Sequence, residues 1–127
     1  MRIEHIAIWV SDLDIMRSFY EKYFNARSNQ RYHNVRTGFM SYFLSFENSA
    51  RLEIMTRPDV LLERSKVNIL GYTHFAFSVG SKEKVLALTE LLRKDGYTIV
   101  GEPRTTGDGY FESVIKDPDG NLVEITI

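Results

Sequence analysis

The sequence contains no cysteine, which excludes disulfide bonds, zinc–thiolate sites and a thiol nucleophile. Histidine and carboxylate side chains are therefore its only strong side-chain metal ligands. It also has no excess of one charge: 16 basic and 17 acidic residues give a formal net charge of -1, which argues against a nucleic-acid partner or an anionic membrane surface. No apolar run approaches the roughly 20 residues of a membrane helix, and the N-terminus does not have the layout of a signal peptide. We therefore expect a cytoplasmic protein.

A single globular domain is the expectation for a chain of this length. The 127 residues are 43% hydrophobic and 26% charged, which provides enough apolar material for a core. One pattern occurs twice within the chain: Ile3–Val10 (IEHIAIWV) and Gly71–Val79 (GYTHFAFSV) alternate like strands, and each carries a histidine in its middle. These histidines, His5 and His74, lie 69 positions apart. The sequence therefore contains a repeat.

The same order of predicted elements begins with each of these strands. In the first half, the elements are a strand over Arg2–Val10, a helix with Ser11 as N-cap that ends at Asn25, an edge strand at Ser28–Tyr32, and strands over Phe39–Phe46 and Ala50–Arg57. In the second half, they are the strand over Gly71–Val79, a helix between the N-cap Ser81 and Gly96, and strands over Tyr97–Gly101, after Gly109, and over Asn121–Ile127. The segment Pro58–Ile69 between the halves is interpreted as a linker with room for one helical turn.

Apolar spacing predicts which side of each helix is buried. The first helix carries a stripe at Leu13, Met16, Phe19, Tyr20, Tyr23 and Phe24, and the second carries one at Val85, Leu88, Leu91 and Leu92. In the preceding strands, the aliphatic face is expected to lie under the helix, so that the two histidines point the other way.

Superposing the halves predicts the fold. At an offset of 69, His5 falls on His74 and Ala7 on Ala76; at an offset of 71, the matched pairs include Glu53 on Glu124. We predict an α+β domain of two tandem βαβββ units, over about residues 1–57 and 71–127 with a linker at about 58–70.

The repeat also predicts a metal site. In each half, the first strand presents a histidine and the last strand presents a glutamate on the face away from the helix, so that His5, Glu53, His74 and Glu124 form a set of two nitrogen and two carboxylate ligands. A histidine or a glutamate alone on a strand is more often a hydrogen-bonded or a solvated residue. Matched pairs at equivalent positions favour a ligand set, because a divalent cation would neutralise both carboxylates.

The duplicated βαβββ order, the His/Glu/His/Glu set and the ending DPDGNLVEI resemble the vicinal-oxygen-chelate superfamily, and within it the glyoxalase I (lactoylglutathione lyase) branch. The resemblance covers essentially the whole chain. It implies two half-barrels around a metal cavity, a homodimer, and one divalent ion per site, with nickel, cobalt or zinc expected. It also implies detoxification of methylglyoxal, with glutathione or another thiol as co-substrate.

The resemblance implies a mechanism as well. An ion held by His5, Glu53, His74 and Glu124 would stabilise an enediolate formed from the hemithioacetal of a 2-oxoaldehyde. Glu124 is the expected base that removes the proton from C1, with Glu53 as its symmetric counterpart, and reprotonation at C2 would give a 2-hydroxyacyl thioester.

Two residues depart from the pattern of the glutathione-dependent enzymes. Trp9 occupies the position where those enzymes typically have an arginine that holds a carboxylate of glutathione, and Arg57 occupies a position that is typically asparagine. Trp9, Met55, Arg57 and Tyr72 are the expected substrate-binding residues.

Three other functions fit the same resemblance. A ring-cleaving dioxygenase and a fosfomycin-type thiol transferase use two histidines and one glutamate, so Glu53 as a fourth ligand counts against both. A drug-binding protein like the bleomycin-resistance relatives carries no metal, and the presence of all four ligand-type residues argues against it.

Overall fold

The structure is a computed structural model that describes residues 3–60, 71–107 and 109–127. The chain divides into two compact units, Met1–Ile69 and Leu70–Ile127. Each unit consists of one mixed sheet and one helix. Within the described ranges, no helix is long and apolar enough to cross a membrane.

The first unit contains one helix and five strands. In chain order these are β1 (His5–Trp9), α1 (Leu13–Phe24), β2 (Arg27–Ser28), β3 (Tyr32–Asn34), β4 (Phe39–Ser45) and β5 (Arg51–Thr56). The sheet has the order β1-β5-β4-β2, and β3 also pairs with β4. Strand β1 is parallel to β5, whereas the other pairs are antiparallel. The helix α1 joins β1 to the strands that follow, as a crossover between parallel strands requires.

The second unit has the same topology with one short strand fewer. Its elements are β6 (His74–Ser78), α2 (Lys82–Lys94), β7 (Ile99–Thr105), β8 (Phe111–Lys116) and β9 (Leu122–Thr126). The sheet has the order β6-β9-β8-β7, and β6 is parallel to β9. The predicted α+β fold of two tandem βαβββ units is confirmed. The linker predicted over Pro58–Ile69 lies mostly outside the described residues.

The helix of each unit covers the aliphatic side of its own sheet. The buried side chains of the first unit include Met16, Phe19 and Tyr20 from α1 and Leu44, Leu52 and Ile54 from the sheet. Those of the second unit include Val85 and Leu92 from α2 and Ile115, Val123 and Ile125 from the sheet. Burying the aliphatic side leaves the opposite face of each sheet for other side chains, and the histidines lie on that face.

The buried stripe of α2 consists of Val85, Thr89 and Leu92, so it differs from the predicted stripe at Leu88, which is partly exposed, and at Leu91. Leu91 is 44% exposed, whereas Thr89 is fully buried. Leu91 lies about 100° around the helix from Leu92, so it leaves the stripe that Val85 and Leu92 define. Burial of Thr89 is tolerated because its hydroxyl donates to the Val85 carbonyl at 2.7 Å and lies 2.6 Å from the Ser113 hydroxyl.

Two strand predictions also need correction. Where one edge strand was expected at Ser28–Tyr32, two short strands, β2 and β3, pair with β4 on either side of that stretch. The strand expected over Tyr97–Gly101 runs as β7 to Thr105, with register irregularities around Gly101. Pro103 is accommodated there because β7 is the edge strand of its sheet.

The N-cap of α1 is Asp12 and not the predicted Ser11. The Asp12 backbone is extended, and its Oδ1 accepts hydrogen bonds from the backbone N–H groups of Asp14 and Ile15, both at 2.9 Å. A carboxylate at this position also interacts favourably with the helix dipole, which explains why Asp12 takes the role from its neighbour. The predicted Asn25 end of α1 and the Ser81 N-cap of α2 are confirmed.

We expect Asp12→Ala to lower the free energy of unfolding by about 1 kcal/mol, because it leaves two N–H groups of the first helical turn without their acceptor. Urea unfolding followed by circular dichroism measures the change. The matched Ser11→Ala variant should cost less. An equal or larger loss for Ser11→Ala would contradict the assignment of the cap.

Candidate metal centre

In the second unit, His74 and Glu124 lie on the same face of two neighbouring strands. The parallel pairing of β6 with β9 places Ala76 directly opposite Glu124, and His74 two residues earlier on the same face. His74 Nε2 lies 3.4 Å from Glu124 Oε2, and the two side chains are 43% and 17% exposed. The pairing of the strands therefore brings together one predicted histidine and one predicted glutamate.

The separation of this pair suits two neighbouring ligands of one metal ion. Nitrogen and carboxylate ligands at about 2.1 Å from a zinc-sized ion lie roughly 3.0–3.4 Å apart when they are adjacent in octahedral or tetrahedral geometry. The observed 3.4 Å between His74 Nε2 and Glu124 Oε2 falls at the upper end of that interval. Imidazole and carboxylate together also form a donor set that divalent transition metals accept. The pair fits half of a metal site.

The first unit repeats this register. Strand β1 is parallel to β5, Ala7 is directly opposite Glu53, and His5 lies two residues before Ala7 on the same face. His5 is 41% exposed and Glu53 is half-buried. The His5 ring makes an edge-to-face contact with Phe43, with 5.4 Å between the ring centroids. The hydrogen-bond register therefore gives both predicted pairs equivalent places in their sheets.

The four-residue ligand set itself stays a prediction. In the part of the chain that the structure describes, no group of three or more His, Asp or Glu side chains is close enough to hold a metal ion. Of the four predicted ligands, His74 and Glu124 are in direct contact, and His5 and Glu53 share a sheet face.

The predicted substrate-binding residues of the first unit form a mixed aromatic and cationic cluster. Trp9 is 44% exposed and lies opposite Met55 in the pairing of β1 with β5. The Arg57 guanidinium lies 5.6 Å from the centroid of the Trp9 ring, and Phe39 contacts the same ring edge-on at 6.2 Å. The Asp59 carboxylate is paired with Arg57, and this hydrogen bond lowers its pKa. A shallow cavity of about 390 Å³ is lined by Arg57 and Val10, among other residues.

Tyr72, the remaining predicted substrate-binding residue, belongs to the second unit. It precedes β6 in the second unit and is 96% exposed.

Two glutamates outside the predicted ligand set lie near a predicted ligand, one on the same sheet face and the other in direct contact. Glu112 on β8 is opposite Thr126, on the face that Glu124 shares, and its side chain is only 14% exposed. The segment YFESVIK alternates like a strand, and its Val114 pairs with Glu124. Glu112 lies two residues before Val114 and therefore faces the same side. Glu4 contacts the ring of His5, although alternation assigns it to the opposite face.

The contacts around Glu4 favour the ionised form of its carboxyl group. Its carboxylate is hydrogen-bonded to His5 Nδ1 and accepts from Arg51 Nη2. Both contacts lower the pKa of the Glu4 carboxyl below its usual value, and the hydrogen bond with His5 has the larger effect.

Residues 2–125 match the family model of the Glyoxalase/Bleomycin resistance protein/Dioxygenase superfamily. The chain therefore belongs to this superfamily. An uncharacterized protein of Bacillus subtilis, YqjT, is 29% identical over 131 residues, which cover 97% of this chain and 96% of the relative. The resemblance inferred from the repeat and the ligand pattern is therefore confirmed at the level of the superfamily.

Solved structures show the same fold. A glyoxalase family protein from Enterococcus faecalis is 25% identical with a TM-score of 0.81, and the match covers 99% of this chain and 97% of that one. The trypanothione-dependent glyoxalase I of Leishmania major is 25% identical with a TM-score of 0.77, and the match covers 99% and 86% of the two chains. The superfamily thus includes enzymes of the glyoxalase I class with the fold of this protein.

We expect His74→Gln to lower the affinity for Co²⁺ at least about 100-fold, because losing a ligand costs more than the roughly 10–100-fold typical of an outer-shell partner. Competition with a chelator measures the affinity. His33→Gln is the matched control, because His33 is exposed on β3 and belongs to neither pair. Unchanged affinity in His74→Gln, or an equal loss in His33→Gln, would contradict the assignment.

Proposed function

We propose that this protein is a metal-dependent lyase of the glyoxalase I type, which isomerises the hemithioacetal of a 2-oxoaldehyde such as methylglyoxal. The observation that carries the proposal is the contact between His74 and Glu124 at 3.4 Å. The equivalent register of His5 and Glu53 in the other unit supports it. The similarity to a glyoxalase I of known structure supports the reaction class.

His5, Glu53, His74 and Glu124 would together hold one divalent ion, with nickel, cobalt or zinc the best suited to two imidazoles and two carboxylates. When bound, such an ion supplies Lewis-acid stabilisation of negative charge on two adjacent substrate oxygens.

Glu124 is the proposed proton carrier. Its carboxylate is 17% exposed and has small or apolar cross-strand neighbours, Ala76 on β6 and Val114 on β8. Because this carboxylate is mostly shielded from solvent and its neighbour on β6 is a small alanine, a substrate carbon can approach it with little competition from water. Glu124 takes the proton from C1 and returns one to C2. The hydroxyl proton moves from the oxygen on C1 to the oxygen on C2, so the reaction is an isomerisation that needs no oxidant or reductant.

The cluster of Trp9 and Arg57 is the proposed binding site for the thiol carrier. Trp9 replaces the expected arginine on β1, but the Arg57 guanidinium lies over its ring. A cation therefore remains beside this position, contributed by the end of β5 and supported by an aromatic surface. The proposed thiol thus differs from glutathione while keeping an anionic group, and the trypanothione-dependent neighbour supports a carrier other than glutathione.

Reconstitution and assay test the proposal. The metal-free protein is loaded with Ni²⁺, Co²⁺, Zn²⁺ or Mn²⁺ and assayed with methylglyoxal and either glutathione or another thiol. We expect turnover with at least one combination. We expect Glu124→Gln to lower kcat by roughly 10²–10⁴ while appreciable metal is retained, because it removes the base. The control Glu102→Gln changes an exposed glutamate paired with Arg93 and should leave kcat unchanged.

Three outcomes would count against parts of this proposal. An active Glu124→Gln variant would assign the base to Glu53. Full metal occupancy without turnover of any thiol adduct would contradict the glyoxalase reaction and favour a dioxygenase or a thiol transferase. A protein that takes up no divalent ion would contradict the metal site and favour a metal-free binding protein.

A further inference from the structure

The Glu4 carboxylate contacts the His5 ring with one oxygen and accepts a hydrogen bond from Arg51 with the other. The Glu4 Oε2 atom contacts His5 Nδ1, and Arg51 Nη2 donates to Glu4 Oε1. The backbone reinforces this arrangement, because Arg51 N donates to the Glu4 carbonyl at 3.0 Å. Arg51 is also the residue directly opposite His5 in the pairing of β1 with β5. The carboxylate therefore bridges the histidine and its cross-strand neighbour.

Phe43 closes this arrangement into a ring of four side chains. The Arg51 guanidinium lies 4.2 Å from the centroid of the Phe43 ring, and Phe43 contacts His5 edge-on at 5.4 Å. The cation–π contact holds Arg51 in place, and the edge-to-face contact restricts rotation of the imidazole. The orientation of His5 is thus fixed by a carboxylate at Nδ1 and by an aromatic ring.

The contact with Glu4 also decides which nitrogen of His5 carries the proton. An ionised carboxylate only accepts hydrogen bonds, so Nδ1 of His5 must be the donor. In a neutral imidazole, the lone pair then lies on Nε2. Histidines that bind metals through one nitrogen commonly donate the other N–H to a carboxylate, which fixes the tautomer and raises the basicity of the ligand.

The second unit lacks this arrangement. At an offset of 69, Thr73 takes the place of Glu4, and Leu122 is the residue opposite His74 where Arg51 is opposite His5. Neither side chain carries a charge. The two halves of the repeat therefore differ in how the histidine is held, which makes Thr73 an internal reference for Glu4.

We propose that Glu4, held by Arg51, is a positioning residue that keeps His5 in its Nδ1–H tautomer and presents Nε2 to the divalent ion. The role toward the metal rests on the proposed function, whereas the tautomer is a property of the metal-free chain.

The tautomer is tested first, in the full metal-free chain. Long-range ¹H–¹⁵N NMR of the histidine side chains at a pH of about 8, where a typical imidazole is neutral, distinguishes the protonated nitrogen from the unprotonated one. We expect His5 to carry its proton on Nδ1 in the wild type and to shift toward the Nε2–H form in Glu4→Ala. Thr73→Ala should leave the His5 signals unchanged. A wild-type His5 protonated on Nε2, or an unchanged tautomer in Glu4→Ala, would overturn the proposal.

Metal affinity is tested second, by chelator competition and by the visible spectrum of the Co²⁺-loaded protein. We expect Glu4→Ala to lower Co²⁺ affinity roughly 10–100-fold and to alter the spectrum, and Thr73→Ala to change neither. A smaller loss in Glu4→Asp, which restores the carboxylate, would support positioning by charge and contact. If the wild type binds Co²⁺ and Glu4→Ala binds it equally well, the inference fails while the proposed function stands. If the wild type binds no divalent ion, both fail.

Discussion

The parallel pairing of the first and last strands in each unit is the constraint on which the rest of the structure depends. This pairing places Ala7 opposite Glu53 and Ala76 opposite Glu124. Because side chains alternate along a strand, the histidine two residues before each alanine must share the face of the glutamate. A shift of one residue in the pairing of these strands in one unit would turn the histidine or the glutamate of that unit toward the helix. The register thus fixes the place of each candidate ligand.

The same pairing separates the core from the site. The aliphatic residues of each sheet are buried under their helix, so one face contributes the apolar core of the unit while the candidate ligands lie on the other. The small residue beside each glutamate leaves space that a larger side chain would fill. Substitutions on the helix side are therefore expected to act on folding, and those on the histidine side on binding.

Most of the fold could be predicted because each helix and strand predicted in one half of the repeat could be compared with its counterpart in the other half. The errors arose where short-range competition decides the outcome: Asp12 and Ser11 are both good N-caps, and the extended backbone and the carboxylate of Asp12 give it the role. Thr89 lies in the core and Leu91 does not because helix geometry places Thr89 on the buried stripe, where the Val85 carbonyl accepts a hydrogen bond from its hydroxyl. The preference between two good N-caps is about a kilocalorie per mole or less, which a pattern of residue types does not resolve.

The sequence predicts the candidate ligands but not the side chains around them. The pairs of histidine and glutamate follow from the repeat, whereas the contact of Glu4 with His5 depends on a side chain that turns back across its own strand. Glu112 could have been found by applying alternation to β8 once the pairing with β9 was known. The contact of Glu4 with His5 shows that two histidines at equivalent backbone positions have different side chains around them.

We propose that one histidine and one glutamate from each half of the repeat together hold a single divalent ion. X-ray absorption spectroscopy of the nickel-loaded protein tests it most directly, because imidazole ligands give characteristic outer-shell scattering. We predict two imidazoles and otherwise only oxygen ligands around each ion, with one imidazole lost in either His5→Gln or His74→Gln. Scattering from one imidazole or none in the wild type, or a spectrum unaffected by either substitution, would contradict it.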